Sequence, residues 1–295
     1  MKLTRKVYFY KILKRSEMII SINKGEIIMK KAVFLDIDGT LIDCFAGLTD
    51  ITPKVKEVIR NLQSKGDYVF IATGRPYAFL SKEIRDFGFD GFVLANGAHV
   101  MIDGRTIHSK PMNNDFVQKL VSKLEQENIQ YVLEGEKYSY VKNEHEELHD
   151  FYDSIGMSKQ YFKREYNLEE LDIHKVEMLC PSKDTMDKCV DFIDRHPEYG
   201  YFSSINQIHL ELYFKESTKA AGILKALEYI NVPIENTYAF GDGENDIEML
   251  STVGCGIAMG NAHDKVKQYA KEVTDTVHND GVALGIEKYI LNKVL

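Results

Sequence analysis

The sequence predicts an α/β protein whose doubly wound, mostly parallel, Rossmann-like sheet is interrupted by an inserted α+β domain. Two observations carry this reading. Short apolar runs, Ala32-Val33-Phe34-Leu35, Tyr68-Val69-Phe70-Ile71-Ala72 and Phe92-Val93-Leu94, alternate with helical stretches, the rhythm of βαβ units feeding a parallel sheet. That rhythm stops near Pro111 and resumes after about Glu211, which places one domain inside another. The expected division is residues 29–110 and 211–295 for the core and 111–210 for the insert.

Taken in order, Ala32–Leu35 closes on Asp36 as a buried strand. Thr52-Pro53 opens a helix, an N-cap followed by proline at the first helical position, running to about Ser64 and stopping near Gly66. The second strand ends at Thr73-Gly74-Arg75, a helix is expected over about Tyr77 to Phe87, and a third strand follows. Within the insert, helical stretches at Asp115–Glu127 and Lys183–Arg195 alternate with segments such as Gln130–Leu133 and Gln207–Leu210. The βα rhythm then returns with a helix over Thr218–Ile230, a strand over Thr237–Phe240, a helix over Glu244–Leu250 and a strand over Gly256–Met259. Two more helices are expected near Ala262–Ala270 and Val282–Leu291.

The 295 residues suffice for two domains of ~150 residues, and 44% hydrophobic with 28% charged residues excludes a disordered chain. A net charge of −8 argues against nucleic-acid binding, which needs a basic face. No apolar run is long enough to cross a bilayer. Cys44, Cys180, Cys189 and Cys255 form no CxxC pair and read as reduced thiols of a cytoplasmic protein. The first 28 residues differ from the rest, being basic and aromatic up to Arg15 and lacking the apolar core of a signal peptide. Lys24-Gly25-Glu26 can be encoded as AAAGGAGAA, a ribosome-binding sequence just upstream of Met29. The expectation is that Met29 is the start and that residues 1–28 are a non-native or disordered extension.

Four clusters stand at strand ends or helix starts of the core, where an open α/β sheet binds its ligands. Asp36-Ile37-Asp38-Gly39-Thr40 follows the first strand, and the spacing points both carboxylates the same way. A carboxylate is ionised at neutral pH and attacks without a base. Against a dianionic phosphate monoester it needs a divalent cation, so Asp36 reads as both nucleophile and metal ligand. Asp38 reads as the acid for the leaving alcohol and then the base for water. Gly39 permits the sharp exit from the strand. At Thr73-Gly74-Arg75 a hydroxyl and free N–H groups can hold phosphate oxygens. Lys219, at a helix start, can neutralise both nucleophile and phosphate. Gly241-Asp242-Gly243-Glu244-Asn245-Asp246 offers hard oxygen ligands suited to magnesium. Each cluster singly also fits ordinary turn or surface chemistry.

Together, FLDIDGT, IATGR, Lys219 and FGDGEND, in this order, resemble the haloacid dehalogenase superfamily, and within it the Cof-type sugar-phosphatase branch with a large α/β cap. The resemblance covers essentially Met29 to Leu295 and extends to Ala258–Ala262 and Asp280–Ala283. It implies an aspartyl-phosphate mechanism with Asp36 as nucleophile and Asp38 as acid/base. It implies Mg2+ held by Asp36, the carbonyl of Asp38, Asp242 and Asp246, and phosphate held by Thr73, Gly74, Lys219 and Asn245. The implied substrate is a small phosphorylated metabolite, a sugar phosphate or alternatively a phosphorylated cofactor such as a flavin or pyridoxal phosphate, with the cap over its leaving group. One departure is Thr218-Lys219-Ala220 where the family carries Ser-Lys-Gly. No feature of the sequence sets an oligomeric state.

Three other patterns compete. His145-Glu146-Glu147-Leu148-His149 fits HExxH, a zinc-hydrolase helix with Glu146 as base, but its surroundings are acidic and no third ligand follows. Gly254–Gly260 has one residue too many for a dinucleotide loop and reads as strand and turn. The tyrosines of the insert lack the basic groove of a single-strand binder. Besides the zinc hydrolase, the alternative is a ligand-binding protein that keeps the fold without turnover; the second carboxylate, Asp38, favours catalysis, since binding alone does not need it.

Overall fold

In the computed structural model, residues 20–23, 26–154, 157–204 and 209–292 are described. β1 (Ile20–Asn23) and β2 (Glu26–Met29) pair as an antiparallel hairpin. The remainder of the leader expectation, on residues 1–19 and 24–25, lies outside the described residues.

The core begins with β3 (Ala32–Leu35), α1 (Pro53–Ser64), β4 (Tyr68–Ala72), α2 (Lys82–Asp86) and β5 (Gly91–Leu94). The hairpin of β6 (His99–Ile102) and β7 (Arg105–Ser109) follows. Thr52 caps α1, its hydroxyl accepting from the Val55 amide at 3.3 Å with Pro53 in the first turn. The single helix expected over Tyr77–Phe87 is instead a 3-10 turn at Tyr77–Phe79 and the short α2. Leu80 is extended and the Ser81 hydroxyl caps α2 at the Ile84 amide. A local serine–backbone bond has overridden the helical periodicity.

The insert contains α3 (Asn114–Gln126), β8 (Gln130–Gly135), β9 (Ser139–Val141), α4 (Glu146–Ser154), β10 (Phe162–Lys163) and β11 (Ile173–Leu179). It continues through α5 (Lys183–Ile193), β12 (Tyr199–Ser204) and β13 (His209–Phe214). Its sheet runs β10-β9-β8-β11-β13-β12, antiparallel except for β10 with β9. One face is apolar: Tyr131, Leu133, Val176, Met178, Leu210 and Leu212 pack with Phe116, Leu120, Leu124, Cys189 and Ile193 of α3 and α5. β13 runs across residue 210, and Glu211 and Leu212 still pair inside this smaller sheet.

The chain returns through α6 (Lys219–Ile230), β14 (Thr237–Gly241), α7 (Ile247–Thr252), β15 (Cys255–Ala258), α8 (Asp264–Lys267), β16 (Glu272–Val273) and α9 (Gly281–Ile286). α7 is entered by a 3-10 turn at Glu244–Asp246, α8 is shorter than the stretch expected over 262–270, and α9 continues into a π turn at Glu287–Leu291. The large sheet runs β16-β15-β14-β3-β4-β5-β6-β7, parallel except for the β5–β6 and β6–β7 pairs, which are antiparallel. Helices cover both faces, which is why β3 is apolar at every position. Val33 and Leu35 join Val55, Ile59 and Leu62 of α1, while Ala32 and Phe34 join Ile223, Ala226 and Leu227 of α6. Core and insert meet along a second apolar seam, where Ala78 and Phe79 pack with Val132, Val141, Leu148 and Tyr152. Among the described residues no helix is long and apolar enough to cross a membrane.

Candidate active site

Three neighbouring parallel strands, β4, β3 and β14, end at one edge of the sheet. Their chain directions carry Thr73, Asp36 and Asp242 to that edge. The Asp36 amide donates to the Phe240 carbonyl at 3.0 Å, extending the β3–β14 ladder by one bond and seating the side chain. The chain then turns, with the Gly39 amide on the Ile42 carbonyl at 2.8 Å. Gly39 sits at φ +74°, and a Cβ there would lie 2.1 Å from Asp242 Oδ2. Only glycine lets this turn lie against Asp242. The Thr40 hydroxyl donates to Asp242 Oδ1 at 3.2 Å, and the Asn261 amide bridges the Gly39 carbonyl and Asp242 Oδ2 at 2.8 and 3.3 Å.

The common direction expected for Asp36 and Asp38 is only partly kept. Both line one cavity of about 550 Å³, but Asp36 is buried and the Asp38 side chain is 55% exposed. Strand geometry ends at Leu35, so the period-two rule no longer governs Asp38. Asp38 turns instead to Arg75, which binds it through two nitrogens, Nε to Oδ2 at 2.8 Å and Nη2 to Oδ1 at 2.6 Å.

Lys219 reaches the site from the first turn of α6. Thr218 caps that helix, its hydroxyl accepting from the Ala221 amide at 3.2 Å, so the entry forms normally despite Ala220. The close approach of α6 to the sheet is made by Gly222 and Gly97. A Cβ on Gly222 would lie 2.5 Å from Val93 Cγ1, and one on Gly97 would lie 2.1 Å from the Thr218 carbonyl oxygen. The buried Lys219 Nζ donates to Asp36 Oδ1 and Asp246 Oδ1, each at 2.6 Å. Asp246 Oδ2 takes the amides of Asp242 and Gly243 at 3.0 and 2.9 Å. Burial alone would lower the lysine pKa, but Asp246 and Asp36 outweigh it and hold the ammonium above its ordinary range. Burial, then repulsion from Asp246, lifts Asp36 well above the usual carboxylate range. The same two causes push Asp242 up to about 6.

Asp36, Asp242 and Asp246 each offer an oxygen within 4.8 Å of the others, the one group of metal-holding geometry among the described residues. Three carboxylates share a single ammonium, so negative charge is in excess, and every donor is a hard oxygen. This donor set fits a magnesium-type cation.

Thr73, Gly74 and Asn245 line the same cavity as Asp36, Asp38 and Asp242. The buried Thr73 hydroxyl accepts from the Arg75 amide at 3.2 Å, and Asn245 Nδ2 donates to Asn96 Oδ1 at 3.2 Å. Lys219 lies behind Asp36 and lines a different cavity, of about 840 Å³. Sequence reasoning passed over Arg75, named there without a role, and Thr40, Asn96 and Asn261. Asn96 had a signal: it precedes Gly97 at the end of β5 and takes a left-handed conformation, φ +52°. It also missed Lys175, Glu177 and Glu211, which line the cavity from the insert. Their signal was the alternation of charged and apolar residues in Lys175-Val176-Glu177-Met178.

The HExxH pair is built into the insert's packing. His145 Nδ1 lies 3.0 Å from the Tyr131 carbonyl and its ring meets the Tyr131 ring edge-on; His149 Nε2 lies 3.0 Å from the Lys142 carbonyl. These nitrogens engage two different backbone carbonyls instead of converging. In the glycine-rich 254–260 stretch, a Cβ on Gly256 would lie 2.1 Å from the Leu250 carbonyl oxygen, so that glycine serves strand-on-helix packing.

A family model for haloacid dehalogenase-like hydrolases matches residues 33–286. The chain is 33% identical over 269 residues to the 5-amino-6-(5-phospho-D-ribitylamino)uracil phosphatase YitU of Bacillus subtilis (strain 168), covering 87% of this chain and 96% of that protein. It is 26% identical over 281 residues to phosphatase YwpJ of the same organism, covering 86% and 97%. Among solved structures it matches the subclass IIB sugar phosphatase BT4131 with a TM-score of 0.71 and 25% identity, covering 88% of this chain and 98% of that one. With the matched family and this arrangement of strand-end aspartates in view, the chain belongs to the haloacid dehalogenase-like hydrolases, in their Cof-type phosphatase branch.

Proposed function

We propose that this phosphatase hydrolyses a small phosphorylated metabolite, a sugar phosphate or a related phosphorylated polyol, with Mg2+ and through an aspartyl-phosphate on Asp36. The observation that carries the reading is the bridge of Lys219 Nζ to Asp36 and Asp246, 2.6 Å to each, beneath a cavity that Asp38, Thr73 and Asn245 also line. The ammonium holds Asp36 in place without lying between it and the cavity. Asp36 attacks phosphorus; an Asp36–phosphorus bond forms as the bond to the leaving oxygen breaks, and Asp38 delivers the proton to that oxygen. Asp38 then takes a proton from water, which attacks the aspartyl-phosphate and returns Asp36 and free phosphate.

Thr73, Gly74 and Asn245 would hold the phosphoryl oxygens at the cavity floor, with Lys219 supplying positive charge from behind Asp36. Asp36, the Asp38 carbonyl, Asp242 and Asp246 would hold the magnesium ion. When bound, that ion neutralises phosphoryl charge and lessens its repulsion with Asp36. The insert, from about Pro111, would cap the leaving group. The phosphorylated ribityl chain in the name of the YitU relative makes such esters members of the first panel to try. Reduced cysteines, three of them buried, support a cytoplasmic setting.

The test is phosphate release from a panel of phosphorylated metabolites, with magnesium and with chelator, for wild type and Asp36→Asn. Turnover that needs the metal and disappears in the variant, by about a thousandfold or more, is the expected result. Asp36→Asn activity near wild type would refute the nucleophile assignment. Product analysis for free phosphate separates hydrolysis from a mutase.

A further inference from the structure

The face of the insert that looks into the cavity carries charges that its own fold does not need. On β11, Val176 and Met178 point to the helices, so Lys175 and Glu177 point the other way. Lys175 is 4% exposed, with Nζ 2.8 Å from Glu211, 3.3 Å from Glu177 and 3.5 Å from Glu134. The Tyr152 hydroxyl donates to Glu177 Oε2 at 2.7 Å. Glu134 is fully buried, and neither of its carboxylate oxygens has a hydrogen-bond partner. One ammonium thus stands among three carboxylates. Burying ions is costly unless they are fully paired, and apolar residues of similar volume would hold a sheet together as well. Lys175, Glu177 and Glu211 line the cavity, and a costly cluster of charges at a cavity wall is the arrangement expected of a ligand site.

The chemistry of that site is one-sided. Carboxylates only accept, so the cluster asks for donors; Lys175 offers donors in return, and the His209 ring lines the same wall with Nε2 3.8 Å from Glu177 Oε2. A hydroxyl both donates and accepts, and neighbouring hydroxyls on one carbon chain can bridge Glu177 or Glu211 and Lys175 together. An anionic group there would meet excess negative charge with little water to screen it. Beside the cluster, Phe79, Phe151 and Tyr152 give the cavity apolar surface for a carbon backbone. Burial lifts Glu134 well above the usual carboxylate range, against the pull of Lys175.

We infer that Lys175, Glu177 and Glu211 form the leaving-group recognition site, which selects an uncharged polyhydroxylated group and rejects one carrying a carboxylate or a second phosphate. This rests on the phosphatase reading above and names the substrate class of that same cavity.

The experiment compares sorbitol 6-phosphate with 6-phosphogluconate, esters of the same chain length that end in a hydroxymethyl group and a carboxylate. Phosphate release is measured for the magnesium-loaded wild type, Glu211→Gln and Glu177→Gln, with p-nitrophenyl phosphate as a general monoester. Wild type is expected to favour the polyol by about tenfold or more in kcat/KM, the effect of roughly one lost charge–hydrogen-bond match. Each variant should narrow that ratio, mainly through KM. Glu211, partly exposed at the rim, is the variant expected to fold if Glu177→Gln does not. A wild-type ratio near one or inverted, or a ratio unchanged in a folded variant, overturns the inference. So does turnover of p-nitrophenyl phosphate with neither six-carbon ester accepted. Failure of wild type to release phosphate from any monoester overturns the phosphatase reading itself and this inference with it.

Discussion

Arg75 grips Asp38 with two nitrogens, at 2.8 and 2.6 Å, while its Nη1 donates to the Phe79 carbonyl at 3.2 Å. Phe79 in turn packs against Tyr152 of the insert, ring centres 5.2 Å apart. One arginine therefore joins the proposed proton-transfer group to the seam between core and insert. Lysine in its place keeps the charge but cannot span both oxygens. Arg75→Lys is expected to lower kcat about tenfold, a fraction of the hundredfold or more that acid–base catalysis contributes, with KM less affected. Steady-state kinetics on one good substrate checks this, and an unchanged kcat would show that Asp38 positions itself.

Gly39→Ala tests the contact between the Asp38 turn and Asp242. At φ +74° a Cβ would lie 2.1 Å from Asp242 Oδ2, so the turn or the carboxylate must move. At a hundredfold excess over its dissociation constant, a ligand stabilises a native protein by about 2.7 kcal/mol. Wild type should show a clear rise in Tm with magnesium, and Gly39→Ala a much smaller one. Equal magnesium shifts in the two proteins would separate Gly39 from the proposed metal site.

Acid lability should come in part from His174. Burial, with His99 and His108 adding repulsion, lowers its pKa to about 3. Its ring stacks on His99 at 5.6 Å, and Nε2 lies 2.9 Å from the Ser109 hydroxyl. The folded state keeps this ring neutral, whereas the unfolded chain takes up a proton below about 6.5. Its contribution is therefore lost as pH falls from about 6.5 toward 3, on the order of 2 kcal/mol by pH 5. Urea unfolding at pH 7 and pH 5 should show a larger drop for wild type than for His174→Gln. Parallel drops would place the acid sensitivity elsewhere.

The HExxH segment is expected to be structural. With its rings on the Tyr131 and Lys142 carbonyls, the double variant His145→Gln/His149→Gln should lose some stability, about 1–3 kcal/mol if a buried partner is left unpaired. Per folded molecule it should release phosphate within about twofold of wild type, since the proposed general acid lies elsewhere. Stoichiometric zinc in the purified wild type, together with loss of all hydrolysis in the variant, would reverse this conclusion.

Much of the site was legible because its signals are local. An apolar run followed at once by Asp36, Thr73 or Asp242 marks a strand end, and parallel strands bring their ends to one edge. Lys219 stood out only weakly, as a lysine at a helix start, since a lysine in a first helical turn has no local mark of burial. Its partner Asp36 is 183 residues away, and the approach depends on Gly97 and Gly222 letting α6 lie close to the sheet. The break at Ser81 was missed because a side-chain cap competed with periodicity. Asp38 was given a direction by strand geometry that ends one residue before Asp36.

The sequence by itself determined the α/β order, the presence of an insert and the strand-end aspartates, because alternation and turn chemistry act over a few residues. Tertiary structure decided what those residues face. It put Asp38 on Arg75, Lys219 behind Asp36, and Lys175 with Glu177 over the cavity instead of in water. Those outcomes are sums of burial and charge over segments far apart in the chain, and no local pattern carries them.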